Sequence, residues 1–340
     1  MTDPRSVGGL RSSGTCDGSQ RATGRDDALQ RIAPRPGPRG LRWLTAVASA
    51  IVVAAATLSG CSAEGATSGD GPLVVATTTV VGDLCAHVAG DEARVEVLMP
   101  TGADPHDFAP SARQAASLRG ADLVVTSGLG LEGGLADALG AARDDGTAIL
   151  ELGPALDPRV LTGDSTMPDP HWWLDPVRTA RAVRLIAERL TEVAPGDWVA
   201  RAASYAQELA ALDGEIRSIL AAVPAERRAL VTGHAAFGYF ADRYDLPVVG
   251  VLVSGGSTQA VPDPRQLAKL AALMRDRGIR AIFAETTLPT NVADALAREV
   301  GGVIQVVVLY TGSLGGPGSG ADTYAGMLRT DAERIAAALA

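Results

Sequence analysis

The segment WVARAASYAQELAALDGEIRSIL, Trp198–Leu220, carries the clearest helical pattern of the sequence. Its apolar residues recur at alternating steps of three and four, which places them on one face of a helix. Pro195 precedes the segment and Pro224 follows it, as proline often does at helix boundaries. The apolar face consists of Trp198, Ala202, Tyr205, Leu209, Leu212, Ile216 and Leu220. The pattern predicts a long linking helix, residues 195–224, which restricts hinge opening more than flexible linkers would.

Apolar, β-branched runs alternate with helix-like stretches on both sides of this helix. The predicted strands are residues 73–79, 93–99, 123–126 and 148–152, then 229–232, 247–252, 281–285 and 303–309. The predicted helices are residues 82–89, 111–118 and 131–142, then 237–243, 263–277, 291–300 and 323–340. Strands that alternate with helices imply parallel sheets covered on both faces. The sequence therefore predicts two similar α/β lobes, residues 73–194 and 225–340.

The N-terminal region has the features of an export signal. An apolar run, residues 43–58, follows Arg39 and Arg42, and it is shorter than the roughly 20 residues of a membrane span. It ends in Leu58-Ser59-Gly60-Cys61, which resembles a bacterial lipobox. We expect a signal peptide over residues 1–60, a lipid on Cys61, a flexible tether over 61–72 and an extracytoplasmic location on the cell membrane. The alternative is an uncleaved anchor with an incidental cysteine.

Charge and cysteine content exclude several classes of protein. Of the 30 basic and 39 acidic residues, eight and four lie in residues 1–60, which leaves the mature chain with a net charge of −13. So acidic a chain is not expected to bind nucleic acid, whereas acidity suits a protein that attracts cations. Cys16 lies in the signal and Cys61 carries the lipid, so only Cys85 remains. An internal disulfide and a CxxC zinc site are thereby excluded.

Three of the four histidines lie in loop-like contexts, at the ends of predicted strands or beside proline: His106, His171 and His234. Ligands of open α/β sheets bind outside the carboxyl ends of the strands, and imidazole suits zinc, copper, iron and nickel. Metal-binding histidines usually donate their second N–H to a carboxylate or carbonyl. Candidates for that role are Asp104, Asp107, Asp169 and Asp175. Sequence spacing alone does not bring the three histidines together, and His87, in a helix-like stretch, is interpreted as structural.

Several motifs together resemble the zinc/manganese solute-binding lipoproteins of bacterial ABC importers, often grouped as cluster A-I. They occur in the order of that family and cover essentially all of residues 73–340. The motifs are GADPH (102–106), GLGLE (128–132), PHWWLDP (170–176), GHAAFGYF (233–240), PRQL (264–267), IFAE (282–285) and LY (309–310). The resemblance implies two Rossmann-like lobes joined by a long helix, with one metal ion in the cleft between them.

The resemblance also implies the ligands and the function. The histidines that match the family's ligands are His106, His171 and His234, and an aspartate before the last helix, Asp322, matches the fourth. The other interpretation of Asp322 is a helix N-cap, and Glu285 is an alternative ligand or a supporting carboxylate. A histidine in the third position favours Zn²⁺ over Mn²⁺ as the transported ion. The expected protein is a monomer that delivers metal to a membrane permease; a role in cell adhesion is left open.

Two enzyme classes are alternatives to a binding protein. A secreted zinc hydrolase needs an open coordination position and a nearby base, but no HExxH motif occurs. Four protein ligands would close the site, so this alternative gains if Asp322 is not a ligand. A dinucleotide-binding enzyme is disfavoured because the first turn reads Val80-Val81-Gly82-Asp83, without GxGxxG.

With three unperturbed histidines, up to three protons are expected to compete with zinc below about pH 6.

Overall fold

The computed structural model describes residues 71–161 and 166–340. The predicted signal peptide, Cys61 and most of the predicted tether lie outside these ranges. Within them, no helix combines the length and the apolar composition needed to cross a membrane.

Eight strands form two parallel four-stranded sheets, with the orders β2-β1-β3-β4 and β6-β5-β7-β8. The strands are β1 Leu73–Ala76, β2 Arg94–Val97, β3 Leu123–Thr126, β4 Ala148–Glu151, β5 Leu230–Thr232, β6 Val248–Val251, β7 Ala281–Glu285 and β8 Gln305–Leu309. The α-helices of the described ranges are α1 Thr79–Ala89, α2 Ala112–Arg119, α3 Ala136–Asp144, α4 Pro176–Val193, α5 Trp198–Leu220, α6 Gly238–Tyr244, α7 Pro264–Arg277, α8 Asn291–Val300 and α9 Tyr324–Leu339. The two sheets have the same connectivity, which confirms the predicted pair of similar α/β lobes.

The central strands β3 and β7 are apolar up to their last residues, Thr126 and Glu285, because helices cover both faces of each sheet. All four residues of β3 and all five of β7 are buried, as is typical of parallel sheets. Polar residues at the strand ends then start the helices. Thr78 caps α1 by accepting a hydrogen bond from the Val81 amide at 3.2 Å. This cap begins α1 at Thr79, three residues earlier than predicted, and β1 correspondingly ends at Ala76.

The helix between the lobes, α5, buries the face that its sequence pattern predicts, and it occupies Trp198–Leu220 within the predicted range 195–224. Its 23 residues span roughly 35 Å. It packs against α4 and α1 of the N-terminal lobe and against α9 of the C-terminal lobe. Arg329 of α9 donates to both carboxylate oxygens of Glu215, at 2.6 and 2.8 Å. One apolar core extends from β1 through α5 to α9, so the two lobes share their interior.

The helix α4 is absent from the sequence-based prediction, although its start carries a clear signal. Asp175 accepts a hydrogen bond from the Val177 amide at 2.9 Å, and Pro176 occupies the first helical position. The helix buries one apolar face, which includes Val183, Ile186 and Leu190. The sequence predicts a loop-like context for His171, and the short turn Trp172–Leu174 that follows it leads directly into α4.

Candidate metal centre

Three imidazoles converge where the loops of the two lobes meet. His106 lies in the loop after β2, His171 at the turn before α4, and His234 directly after β5. Nε2 of His171 lies 3.2 Å from Nε2 of His106 and 3.0 Å from Nε2 of His234. Zn–N bonds of about 2.0–2.1 Å in tetrahedral geometry separate neighbouring nitrogens by about 3.3 Å. The three nitrogens are therefore arranged as ligands of one ion would be.

Two of the three histidines are oriented by buried carboxylates. Nδ1 of His171 donates to Asp169 at 2.8 Å, and Nδ1 of His234 donates to Glu285 at 2.7 Å. Each carboxylate oxygen also accepts the backbone amide of the same histidine, at 3.0 and 2.9 Å. With Nδ1 protonated, the lone pair of the neutral ring is on Nε2, which faces the centre. Glu285 stands at the carboxyl end of β7, beside β5, where open α/β sheets bind ligands.

The electrostatic surroundings give the three histidines different protonation behaviour. Burial and the neighbouring imidazoles lower the pKa of His106 to about 2. Burial also lowers the pKa of His171, against the opposing effect of Asp169. At His234, burial lowers the pKa, but the charge of Glu285 and its hydrogen bond outweigh it and raise the pKa above 6.5. His106 and His171 are therefore neutral at physiological pH, and His234 is the histidine that holds a proton most readily.

The structure does not bring Asp322 to this centre. Among the residues described, one group of three or more His, Cys, Asp or Glu side chains has its ligating atoms all within 4.8 Å of one another, and it consists of His106, His171 and His234. Asp322 is exposed, and its carboxylate accepts a hydrogen bond from the Gly318 amide at 3.3 Å. It is not the N-cap of α9 either, because Thr323 fills that position. The glycine-rich segment 315–320 holds Asp322 at the surface, which corrects its prediction as the fourth ligand.

The other residues singled out in the sequence lie beside the three histidines or elsewhere in the fold. Glu285 supports His234, as one of its two predicted roles required, and its second oxygen accepts a hydrogen bond from Thr311 at 2.7 Å. His87 lies on α1, stacked on Tyr205 with ring centroids 3.9 Å apart, away from the three histidines. Of the four aspartates considered as supporting carboxylates, Asp169 has that contact with a histidine ring, whereas Asp175 caps α4.

Sequence reasoning missed the residues that surround the centre from distant parts of the chain. Trp173 packs edge-on against His171, and its indole N–H donates to the Thr311 carbonyl at 2.8 Å. Thr258 and Gln259, more than 150 residues from His106, hydrogen-bond its loop. The tryptophan follows the ligand motif directly and could have been suspected. No sequence signal identifies the other contacts, because only the packing of the lobes creates them.

Two α/β lobes, each with a parallel sheet, and three convergent imidazoles between them define a two-lobed metal-binding protein. The model of the family described as ZnuA, zinc-uptake complex component A, periplasmic, matches residues 74–338. This chain belongs to that family. The membership confirms the predicted class, a substrate-binding protein of metal import rather than an enzyme, and it sets aside the hydrolase and dinucleotide alternatives.

Relatives with different metals in their names are similar to this chain in sequence. The zinc-binding protein TroA of Treponema pallidum is 32% identical over 276 residues, 79% of this chain and 89% of TroA. Its solved structure superposes with a TM-score of 0.75 and covers 79% of this chain and 99% of that one. The manganese-binding lipoprotein MntA of Bacillus subtilis is 31% identical over 302 residues, 86% of this chain and 98% of MntA. The iron-binding protein YfeA of Yersinia pestis is 29% identical over 266 residues, 77% of this chain and 85% of YfeA.

Proposed function

We propose that this protein captures one Zn²⁺ ion between its lobes and delivers it to the membrane permease of an ABC importer. His106, His171 and His234 are the proposed ligands, and Asp169 and Glu285 are the supporting carboxylates. The observation that carries this proposal is that Nε2 of His171 lies 3.2 Å from Nε2 of His106 and 3.0 Å from Nε2 of His234. The two buried carboxylates supply negative charge for a divalent cation without contacting it themselves.

Zinc is favoured over manganese by the chemistry of the donors. Three neutral imidazoles suit zinc, whereas manganese prefers carboxylate, carbonyl and water oxygens. The carboxylates of Asp169 and Glu285 already accept hydrogen bonds from Nδ1 of His171 and Nδ1 of His234. With Asp322 at the surface, the fourth position of a tetrahedral ion falls to water or to an exogenous group. An open position is also a feature of catalytic zinc, but the family to which the chain belongs acts in metal uptake.

One tightly bound zinc ion per chain is the expected result of a calorimetric titration on residues 62–340. Zinc that binds the native state alone raises its stability by about 2.7 kcal/mol at a free concentration a hundredfold above Kd. The thermal midpoint should therefore rise with zinc concentration, and a parallel titration with Mn²⁺ should show weaker binding. Absence of zinc binding, or tighter binding of Mn²⁺, would contradict the proposal.

We further propose that the protein acts as a monomer held at the membrane by a lipid on Cys61. The Leu58-Ser59-Gly60-Cys61 segment supports the lipid anchor, and relatives of this chain include proteins named as lipoproteins. Wild-type protein should begin at modified Cys61 and partition into detergent. Cys61→Ala should be released or remain unprocessed, which mass spectrometry of the N-terminus and phase partitioning distinguish. Wild-type protein that keeps an intact N-terminus and an unmodified Cys61 would exclude the lipid anchor.

A further inference from the structure

A loop of the C-terminal lobe reaches across the cleft to the loop that carries His106. We call residues 254–262, between β6 and α7, the bridging loop. The hydroxyl of Thr258 donates to Asp104 at 2.5 Å. The side-chain amide of Gln259 donates to the carbonyl oxygen of His106 at 2.9 Å and to the carboxylate of Asp107 at 2.8 Å. Three hydrogen bonds thus join the bridging loop to the backbone and neighbours of one proposed ligand.

The first residues of the bridging loop are also attached to the turn that carries His234. The Ala235 amide donates to the carbonyl oxygen of Gly255 at 3.3 Å, and just before the loop the Val253 amide donates to Gly233 at 2.9 Å. Gly255 has φ +97°, a conformation that side chains other than glycine rarely adopt. The bridging loop therefore connects two of the three proposed ligand loops, one from each lobe. The chain changes direction at Gly255, directly after its contacts with the His234 turn.

His106 depends on this loop more than the other two histidines do. His171 and His234 are buried and each is oriented by a carboxylate through Nδ1. His106 is half-buried, and no residue in the described ranges hydrogen-bonds its Nδ1. Its backbone amide donates to Asp104 at 3.0 Å, and Asp104 is the residue that Thr258 contacts. Apart from the contact of its ring with His171, the hydrogen bonds that position His106 therefore run through its backbone, to Asp104 and to the bridging loop.

We propose that Thr258 and Gln259 form a latch that holds His106 in its ligand position, and that opening of this latch controls the rate of metal release. The proposal rests on the function proposed above, with His106 as a ligand. Separating the lobes would expose the core that they share, whereas opening the latch breaks three hydrogen bonds at the surface. Withdrawal of His106 leaves the ion with two imidazoles, from which it dissociates readily. Thr258 and Gln259 are positioning residues, since neither contacts the ion.

The rate of zinc release tests the latch. The full chain in detergent is loaded with Zn²⁺ and mixed with an excess of chromophoric chelator, so that dissociation limits the signal. Thr258→Val with Gln259→Ala should release zinc roughly tenfold faster or more, from the ordinary strength of the lost hydrogen bonds. Gln259→Glu, of the same size, should also accelerate release because it removes the donor and places a charge beside Asp107. Thr258→Ser keeps the hydroxyl and should release zinc at the parent rate.

The matched control is Gln266→Ala. Gln266 accepts a hydrogen bond from Ser254 at 2.5 Å, so it contacts the same loop without crossing to the other lobe. It should release zinc at the parent rate, and the visible spectrum of bound Co²⁺ should be the same in all variants, which reports an unchanged ligand set. Parent-like release from both Gln259→Glu and the double variant would overturn the latch, as would equal acceleration by Gln266→Ala. Failure of the parent to bind zinc would instead overturn the proposed function.

Discussion

His171→Ala is expected to weaken zinc binding by at least about a hundredfold, since loss of a supporting residue alone costs 10–100-fold at metal sites. Nε2 of His171 lies 3.2 Å from that of His106 and 3.0 Å from that of His234. Its loss would leave two imidazoles and would remove the ring that pairs with the buried Asp169 carboxylate. Competition with a chelator of known zinc affinity measures the change, and circular dichroism checks that the variant folds.

Two alanine variants serve as controls for His171→Ala. His87→Ala removes an imidazole whose side chain is 37% exposed and lies on α1 outside the centre. Asp322→Ala removes the exposed carboxylate that the sequence had suggested as a ligand. Both should bind zinc within a factor of about two of the parent, as surface substitutions usually do. If Asp322→Ala were as weak as His171→Ala, Asp322 would be a ligand in the loaded protein and our placement of it would be wrong.

Zinc affinity is expected to fall by about tenfold per pH unit below the raised pKa of His234, because one proton competes with the ion. Glu285 stabilises the protonated imidazole of the metal-free protein, so competition begins above pH 6.5 and increases as the pH falls. The pKa of His106, about 2, and the lowered pKa of His171 keep these two rings neutral over the same range. We therefore expect one competing proton, where the sequence alone predicts up to three.

The slope of log affinity against pH, from competition titrations between pH 5.5 and 8, measures the number of protons displaced. Glu285→Gln is the informative control, because the amide keeps the size of the side chain and removes the charge that raises the pKa of His234. The variant should bind zinc more weakly at pH 8 but lose less affinity on acidification. A slope near three for the parent, or an unchanged slope in Glu285→Gln, would refute this assignment.

The sequence predicts those parts of the fold that local patterns specify. The period of apolar residues in Trp198–Leu220 reports directly which face is buried, so the sequence predicts α5 and its buried face, whereas the observed ends lie inside the predicted range 195–224. The helix α4 is missed although Asp175-Pro176 is a good start signal, because the sequence predicts a loop-like context for His171 just before it. The register of strands and their order in each sheet depend on packing between distant segments, which no local pattern contains.

The residues of the candidate site also differ in how far the sequence alone predicts them. The three histidines were identified because they follow strands or lie beside proline in a chain with few histidines, and the resemblance supplied their grouping. The sequence does not show that Asp322 lies at the surface, since proximity to the last helix does not determine on which side of a glycine-rich loop a carboxylate lies. Gln259 could not have been found, since its contact with the His106 loop exists only when the two lobes meet.

The core that continues from β1 through α5 to α9 makes the two lobes a single cooperative unit. Neither lobe can unfold alone without exposing the apolar surface that it shares with the other. The described domain is therefore expected to unfold cooperatively despite having two sheets, which coincident unfolding transitions by different probes would show. An ion bound by loops of both lobes then stabilises all of this domain equally, so metal starvation lowers the stability of the entire binding protein and not only that of its cleft.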